Sequence, residues 1–199
     1  MHPDPRLQWT DREAMAAFVR EQGFGAVFLT TSEGPRVAHV ALSLRGEERI
    51  CFHVSRRNAL AAHLDGARAL VVVQGPHAYV SPDWYEVQDQ VPTWNYVAVE
   101  IEGIVRAVDD TLLLGDLAQL AAEQECRLAP KPAWTVNRLS PGLGQKMAAG
   151  IAGFAMDILA WRGTAKLGQN KPEAVRLSAA DGLAATGAVE IAQLMRTVR

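Results

Sequence analysis

The spacing of apolar and polar residues changes several times along the chain, and each change predicts an element. Thr10-Asp11-Arg12-Glu13 has the capping-box pattern, in which the Thr10 hydroxyl accepts from the Glu13 amide and the Glu13 side chain reaches back. Ala14, Met15, Phe18 and Val19 then line one helical face, and Gly23 is placed to stop the helix. From Phe24 the period shortens. FGAVFLTT, SEGP and RVAHVALSL read as strand, tight turn and strand, and RICFHV follows the RGEE turn as a third strand. RRNALAAHL has the spacing of a short helix, ARALVVVQG that of a buried fourth strand, and NYVAVEIEGIVRAV that of a fifth strand, bent or bulged at Gly103. Thr111–Arg127 returns to helical spacing through Leu113, Leu117, Leu120 and Ala121. Beyond the loop LAPKPAW, the pattern predicts a short helix around Pro141–Ala149 and a sixth strand in GFAMDILAWRGTAKL. A polar, mobile link near NKPEAVRLSAADG and a C-terminal helix over Gly182–Arg199 complete the reading.

Short antiparallel strands with helices at the ends and one crossing the middle predict a mainly β fold with helical additions (α+β), closed as a small barrel. One domain spans 1–199, with the helix at 182–199 as an appendage. No run of alternating β and α units calls for a doubly wound sheet. Composition alters this little: 49% hydrophobic and 21% charged residues are those of an ordinary globular chain. Twenty basic against 22 acidic residues leave a charge of −2, so no overall field favours nucleic acid, although a local patch fits inside a neutral total. MHPDPRLQWTDRE lacks the cationic-then-apolar pattern of a signal peptide, and no window approaches the roughly 18 apolar residues of a membrane span. Cys51 and Cys126 lie far apart and outside any CxxC. These features predict a reduced, cytoplasmic setting without a membrane.

Several common chemistries have no signature here. There is no GxGxxG after a strand, no GxxxxGK[ST], no HExxH, no paired CxxC and no GxSxG. FHVSRRN (Phe52–Asn58) is the first positive signal. A strand ends, Ser55 is placed to cap, and Arg56 and Arg57 open the predicted helix, an arrangement suited to a phosphomonoester. Solvated arginines at a helix start are the bland alternative. KLGQNK (Lys166–Lys171) offers cations and amides around a permissive glycine, and a solvated turn accounts for it equally well. His39, His53, His77 and Cys51 have no metal-ligand spacing and read as hydrogen-bonding or ligand-contacting residues. Trp9, Trp134 and Trp161 read as packing anchors. Trp84, Tyr85, Trp94 and Tyr96 cluster in GPHAYVSPDWY and VPTWNY, which suits a dimer interface and a planar ligand alike.

Together QGPHAYVSPDWY, VPTWNY and KLGQNK, with the spacing of VAHVALSL and FHVSRRN, resemble the PaiB-like family of FMN-binding negative transcriptional regulators. These are relatives of the split-barrel pyridoxamine-phosphate oxidases and flavin reductases, and the similarity covers nearly the whole chain. The resemblance implies an antiparallel split β-barrel homodimer with FMN at the subunit interface. On it, His39, Val40, Ala41 and Leu42 lie beside the isoalloxazine. His53, Val54, Ser55, Arg56 and Asn58 hold the ribityl chain and phosphate, with Arg56 as the main cation. Gln74 and Gly75 border the ring, Trp94 and Asn95 come from the VPTWNY loop, and Lys166, Gln169 and Lys171 close the site.

Two departures stand out. The family usually writes the last motif KLSQNR, whereas Gly168 and Lys171 occupy the serine and arginine positions here, and lysine keeps the charge but loses the fork. The third-strand motif carries the additional Arg57. The resemblance implies an FMN-binding regulator, with direct DNA contact or a regulatory partner both left open. The alternative is a flavin-dependent oxidoreductase acting on a small substrate or a nicotinamide donor, for which no residue stands out as acid or base.

Overall fold

A computed structural model describes residues 3–198. Helix α1 spans Arg12–Gln22. Its cap is Asp11, whose carboxylate accepts from the Ala14 amide at 3.0 Å, in place of the expected Thr10–Glu13 box. Gly23 ends the helix as predicted, its amide closing on the Val19 carbonyl at 3.0 Å. The strands are β1 (Gln8–Trp9), β2 (Phe24–Thr31), β3 (Gly34–Arg45), β4 (Arg49–Ser55), β5 (Arg68–Val80), β6 (Thr93–Ala107) and β7 (Ile151–Lys166). The sheet order is β1-β7-β4-β3-β2-β5-β6, and β6 also pairs with β7, so the order closes on itself. Every registered pair is antiparallel. Among the described residues no helix is long and apolar enough to cross a membrane.

The chain divides into two compact units. A strand-rich unit takes Ala16–Val72 and Ile101–Trp161. In it Leu42 faces Phe52 and Leu44 faces Ile50 across the β3–β4 pair, and Val40, Leu42, Ile50, Phe52 and Val54 are buried. β6 runs unbroken through Gly103, where a Cβ would collide with the Asp157 carbonyl, so the glycine permits close strand approach. Helix α2 (Asp110–Cys126) is capped by Asp109, which accepts from the Leu112 amide at 2.9 Å. It packs on β3 and β4, where Arg45 pairs with Asp116 at 3.0 Å and Glu123 at 3.2 Å. Between α2 and β7 runs an exposed arm containing the short helix α3 (Leu143–Ala148).

The predicted helix over RRNALAAHL is absent. Residues 56–66 form successive turns instead, with three-residue bonds from Asn58 to Ser55, Ala61 to Asn58 and His63 to Leu60. Local side-chain bonds divert the backbone: the Ser55 hydroxyl accepts from the Arg57 amide at 3.2 Å and the Asn58 carbonyl oxygen from the Leu60 amide at 2.9 Å.

The helix-pair unit takes the N-terminal segment through Met15, Val73–Glu100, and the chain from Arg162 onward. Here α4 (Glu173–Ala185) occupies most of the expected mobile link, and α5 (Val189–Thr197) follows a turn at Gly187. The anticipated single helix over 182–199 is therefore two helices. Alanine carries too little hydropathy to mark a buried face but has the highest helix propensity, which favours α4 over a link. Ala179, Ala180, Leu183, Ile191 and Met195 are the buried side chains of the pair. Thr93 and Trp94, outside the expected fifth strand, begin β6, and GPHAYV continues β5.

Gly182 lies inside α4, where alanine normally stabilises a helix by about 1 kcal/mol over glycine. A Cβ at Gly182, however, would stand 2.5 Å from Cγ of the Trp84 indole. Overpacking costs about 1–3 kcal/mol, enough to reverse the sign. Gly182→Ala is expected to lower the urea midpoint, by about 1 kcal/mol in unfolding free energy once the propensity gain is subtracted.

Candidate functional site

The expected site residues fall into two sets, one in each unit. In the strand-rich unit the two-residue period of β3 and β4 sorts them. Val40, Leu42 and Val54 point into the core, leaving only their backbones for a ligand. His39, Ala41, His53 and Ser55 occupy the opposite, outer face, with His39 and Ser55 exposed and Ala41 and His53 half-buried. Phe24 of β2, 56% exposed, stacks with His39 at 6.4 Å between ring centroids and 17° between planes. Phe28 and Val37 form a cross-strand pair on that outer face and are exposed as well. The result is an uncovered apolar ledge ending in a polar turn.

That turn holds Ser55, Arg56, Arg57 and Asn58. Because no helix starts here, the helix-terminus contribution to anion binding falls away, and the donors are side chains. The Arg56 amide donates to the Gly150 carbonyl at 3.0 Å, its Nε to the Ala149 carbonyl at 3.1 Å, and its terminal nitrogen lies 3.5 Å from Asp110. The exposed Arg57 guanidinium has no hydrogen bond or ion pair among the described residues. Asn58 is half-buried and braces the turn through Leu60.

Farther along the outer face, α2 covers Ser43 and Cys51, which with the half-buried His53 line a cavity of about 10 Å³, the size of one water site, with Asp116 on its wall. Burial lowers the His53 pKa from its ordinary value, so its imidazole is neutral near pH 7. Burial first, and the Asp116 carboxylate second, push the Cys51 thiol up to about 11, against a smaller opposing effect of Arg45.

In the helix-pair unit, Trp94 is 54% exposed, lies 6.0 Å from the His77 ring and meets the Tyr79 ring edge-on at 6.3 Å. The Gln74 amide is 3.2 Å from His77 Nδ1, which also approaches the Gly75 carbonyl at 3.3 Å. Lys166 donates to the Thr93 hydroxyl at 2.5 Å. Lys171 donates to the Gln90 side-chain oxygen at 2.5 Å and sits 4.2 Å over the Tyr85 ring. Two residues are directed inward. Asn95 is buried, with its amide 3.2 Å from the Met195 sulfur, and Gln169 folds onto its own loop, accepting from the Leu167 amide at 2.8 Å and donating to the Ala165 carbonyl at 2.5 Å. Gly168 has φ +82°, a left-handed conformation that glycine adopts without strain.

Sequence reasoning passed over Phe24 and left Arg57 outside the site. A signal for Phe24 exists: FGAVFL is apolar on both faces of a strand, the pattern of a sheet covered on both sides.

Residues 1–160 match the family described as "Putative FMN-binding domain". The chain is 31% identical over 168 residues to the Protease synthase and sporulation protein PAI 2 of Bacillus subtilis (strain 168), covering 82% of this chain and 80% of that protein. In structure it is similar to the flavocytochrome Anf3 from Azotobacter vinelandii, with TM-score 0.61, 16% identity, and coverage of 83% and 72% of the two chains. It is also similar to the FAD and heme binding protein from Mycobacterium smegmatis, with TM-score 0.59, 20% identity, and coverage of 80% and 73%. At such identities the structural likeness concerns the fold alone.

The Cys51 environment carries a pH dependence. The thiol ionises near 9.0 when unfolded and near 11 when folded. The native state therefore holds the proton more tightly. The resulting stabilisation is complete below pH 9 and is lost as pH rises through 11, with two pH units corresponding to about 2.7 kcal/mol. Urea unfolding at pH 8 and pH 11 is expected to show a smaller loss of stability in Cys51→Ala than in the wild type.

Proposed function

Because the chain belongs to the PaiB-like family of FMN-binding proteins, we propose that the outer face of β3 and β4 is its FMN seat. On this reading the protein is a split-barrel homodimer in the reduced cytoplasm and a negative regulator of transcription. The observation that carries the seat is the sorting of His39, Ala41, His53 and Ser55 onto one side of the β3–β4 pair, beside Phe24. The donor set suits the cofactor. Two guanidinium groups and a hydroxyl at Ser55–Arg57 match a phosphomonoester, and the Phe24–His39 ledge with Ala41 matches the flat ring. FMN supplies a redox-active isoalloxazine when bound; these side chains orient it, and an apolar covering excludes water. Exposed Phe28 and Val37 continue the ledge and suit the surface of a second copy.

For Gln74, Gly75, Trp94, Lys166 and Lys171, which lie in the helix-pair unit, the support for a role in flavin binding is the family resemblance. Asn95 and Gln169 act by bracing β6 and the KLGQNK loop. The regulatory role takes its support from the family resemblance and from the similarity to the Protease synthase and sporulation protein PAI 2. It is assigned an indirect route: α4 and α5 are joined by a short turn, but α5 carries one acidic and one basic residue, Glu190 and Arg196, and offers no basic recognition face.

Titration with FMN, followed by quenching of flavin fluorescence, tests the seat. Saturable binding is expected, and Arg57→Ala is expected to raise the Kd about tenfold or more, the effect of one charge-assisted hydrogen bond of about 1.5–3 kcal/mol. The affinity for riboflavin, which lacks the phosphate, should be unchanged by Arg57→Ala. Absence of saturable FMN binding by the wild type rejects the seat. Salt-dependent shift of promoter DNA by the pure protein would reject the indirect route. Anaerobic bleaching of the bound flavin by NADH or NADPH would favour the oxidoreductase alternative.

A further inference from the structure

The excursion from α2 through the exposed arm to β7 is tied at both ends to one side chain. Arg56 approaches Asp110, the first residue of α2, at 3.5 Å. Its amide and Nε grip Gly150 and Ala149, where the arm returns, at 3.0 and 3.1 Å. At the arm's start, Arg127 forks onto the Arg20 and Glu21 carbonyls at 2.6 and 2.5 Å. Between these anchors the described hydrogen bonds are local. Glu125 accepts from the Trp134 amide at 2.8 Å and from Lys131, and short-range turns and α3 supply the rest. Residues 127–143 are almost wholly exposed, including Leu128, Trp134, Val136 and Leu143. Few long-range contacts and much exposed backbone make the arm a segment of low local stability, sensitive to its anchors.

We infer that Arg56 is a positioning residue coupling the FMN phosphate to this arm, an inference that rests on the seat proposed above. A guanidinium has five N–H donors in one plane. Nε is committed to Ala149, while among the described residues the terminal nitrogens pair with Asp110 alone, an exposed and distant partner worth little. A phosphate dianion at the Ser55–Arg57 turn recruits those terminal donors bidentately and displaces the weaker carboxylate. The plane of the guanidinium is then held from one side by phosphate and from the other by the Ala149 carbonyl, so the arm's return is clamped. Coupling of this kind is reciprocal: whatever orders the arm strengthens FMN binding by the same factor. Riboflavin presents the same ring without the phosphate and leaves the clamp unset.

Limited trypsin digestion of the full chain, read by mass spectrometry at Arg138 and Lys146, tests this with each flavin at a saturating concentration established by fluorescence. FMN is expected to slow cleavage at Lys146 about fivefold, the low end of allosteric couplings, and riboflavin to leave it unchanged. Arg56→Ala, saturated with FMN, is expected to lose the protection. Arg56→Lys keeps the charge without the fork and is expected to bind FMN without protecting the arm. Equal protection by both flavins overturns the coupling, as does wild-type protein saturated with FMN yet digested at the apo rate, or protection that survives in Arg56→Ala. Failure of FMN to bind at all is a different result and removes the seat together with the coupling.

Discussion

The two-residue alternation of the antiparallel β3–β4 pair is the constraint on which the candidate site depends. Leu42 against Phe52 and Leu44 against Ile50 commit one face of the pair to the core. Once those residues turn inward, His39, Ala41, His53 and Ser55 have no choice but to face outward. A shift of one residue would exchange the two sets, placing a histidine and a serine in the core and leucines on the surface. Burial of five large apolar side chains against that exchange holds the register far more firmly than any polar contact at the outer face.

The same alternation divides the outer face in two. Where α2 lies on it, Ser43 and Cys51 are buried and, with the half-buried His53, line a water-sized cavity. Beyond α2, the Phe24–His39 stack stands open. Arg45, reaching from the end of β3 to Asp116 and Glu123, helps fix where α2 lies. These ion pairs are partly exposed and individually weak, so α2 is positioned chiefly by Leu113, buried at its first turn, with the charges selecting its rotation.

Strands were the most legible feature of the sequence, because apolar alternation between turn residues reports the sheet directly: β2, β3 and β4 lie where the pattern places them. What was misread has identifiable physical causes. RRNALAAHL has helical spacing, but Ser55 and Asn58 bond to nearby amides and the backbone takes turns instead. The Ala-rich α4 hides from hydropathy because alanine buries little area, and its packing against Trp84 cannot be read from spacing. Asn95 and Gln169 are polar residues in aromatic or cationic motifs, the appearance of ligand contacts, yet tertiary structure spends their amides on Met195 and on the KLGQNK loop. Residue type announces that an amide needs a partner; only packing decides which partner it finds. Gly168 carries a related lesson, since spacing and residue type do not disclose that its backbone is left-handed, with φ +82°.

An open ledge imposes its own requirement on a flavin site. Bound ligands of this size bury most of their surface, whereas the Phe24–His39 stack meets a ring from one side. The second wall has to come from another surface, and on the proposed reading a second copy supplies it, with Phe28 and Val37 extending the apolar contact around the ring. Affinity for FMN then depends on subunit association as well as on the residues that touch the cofactor. Arg56 and Arg57 divide the remaining work unequally. On the proposed reading Arg57, whose guanidinium has no partner among the described residues, bears on the phosphate alone. Arg56 already holds the end of an exposed arm, so any change in its hydrogen bonding reaches residues remote in sequence from the cofactor. On the proposed reading, a regulator without a basic recognition helix needs a route from cofactor to surface, and a side chain shared between phosphate and arm is a short one.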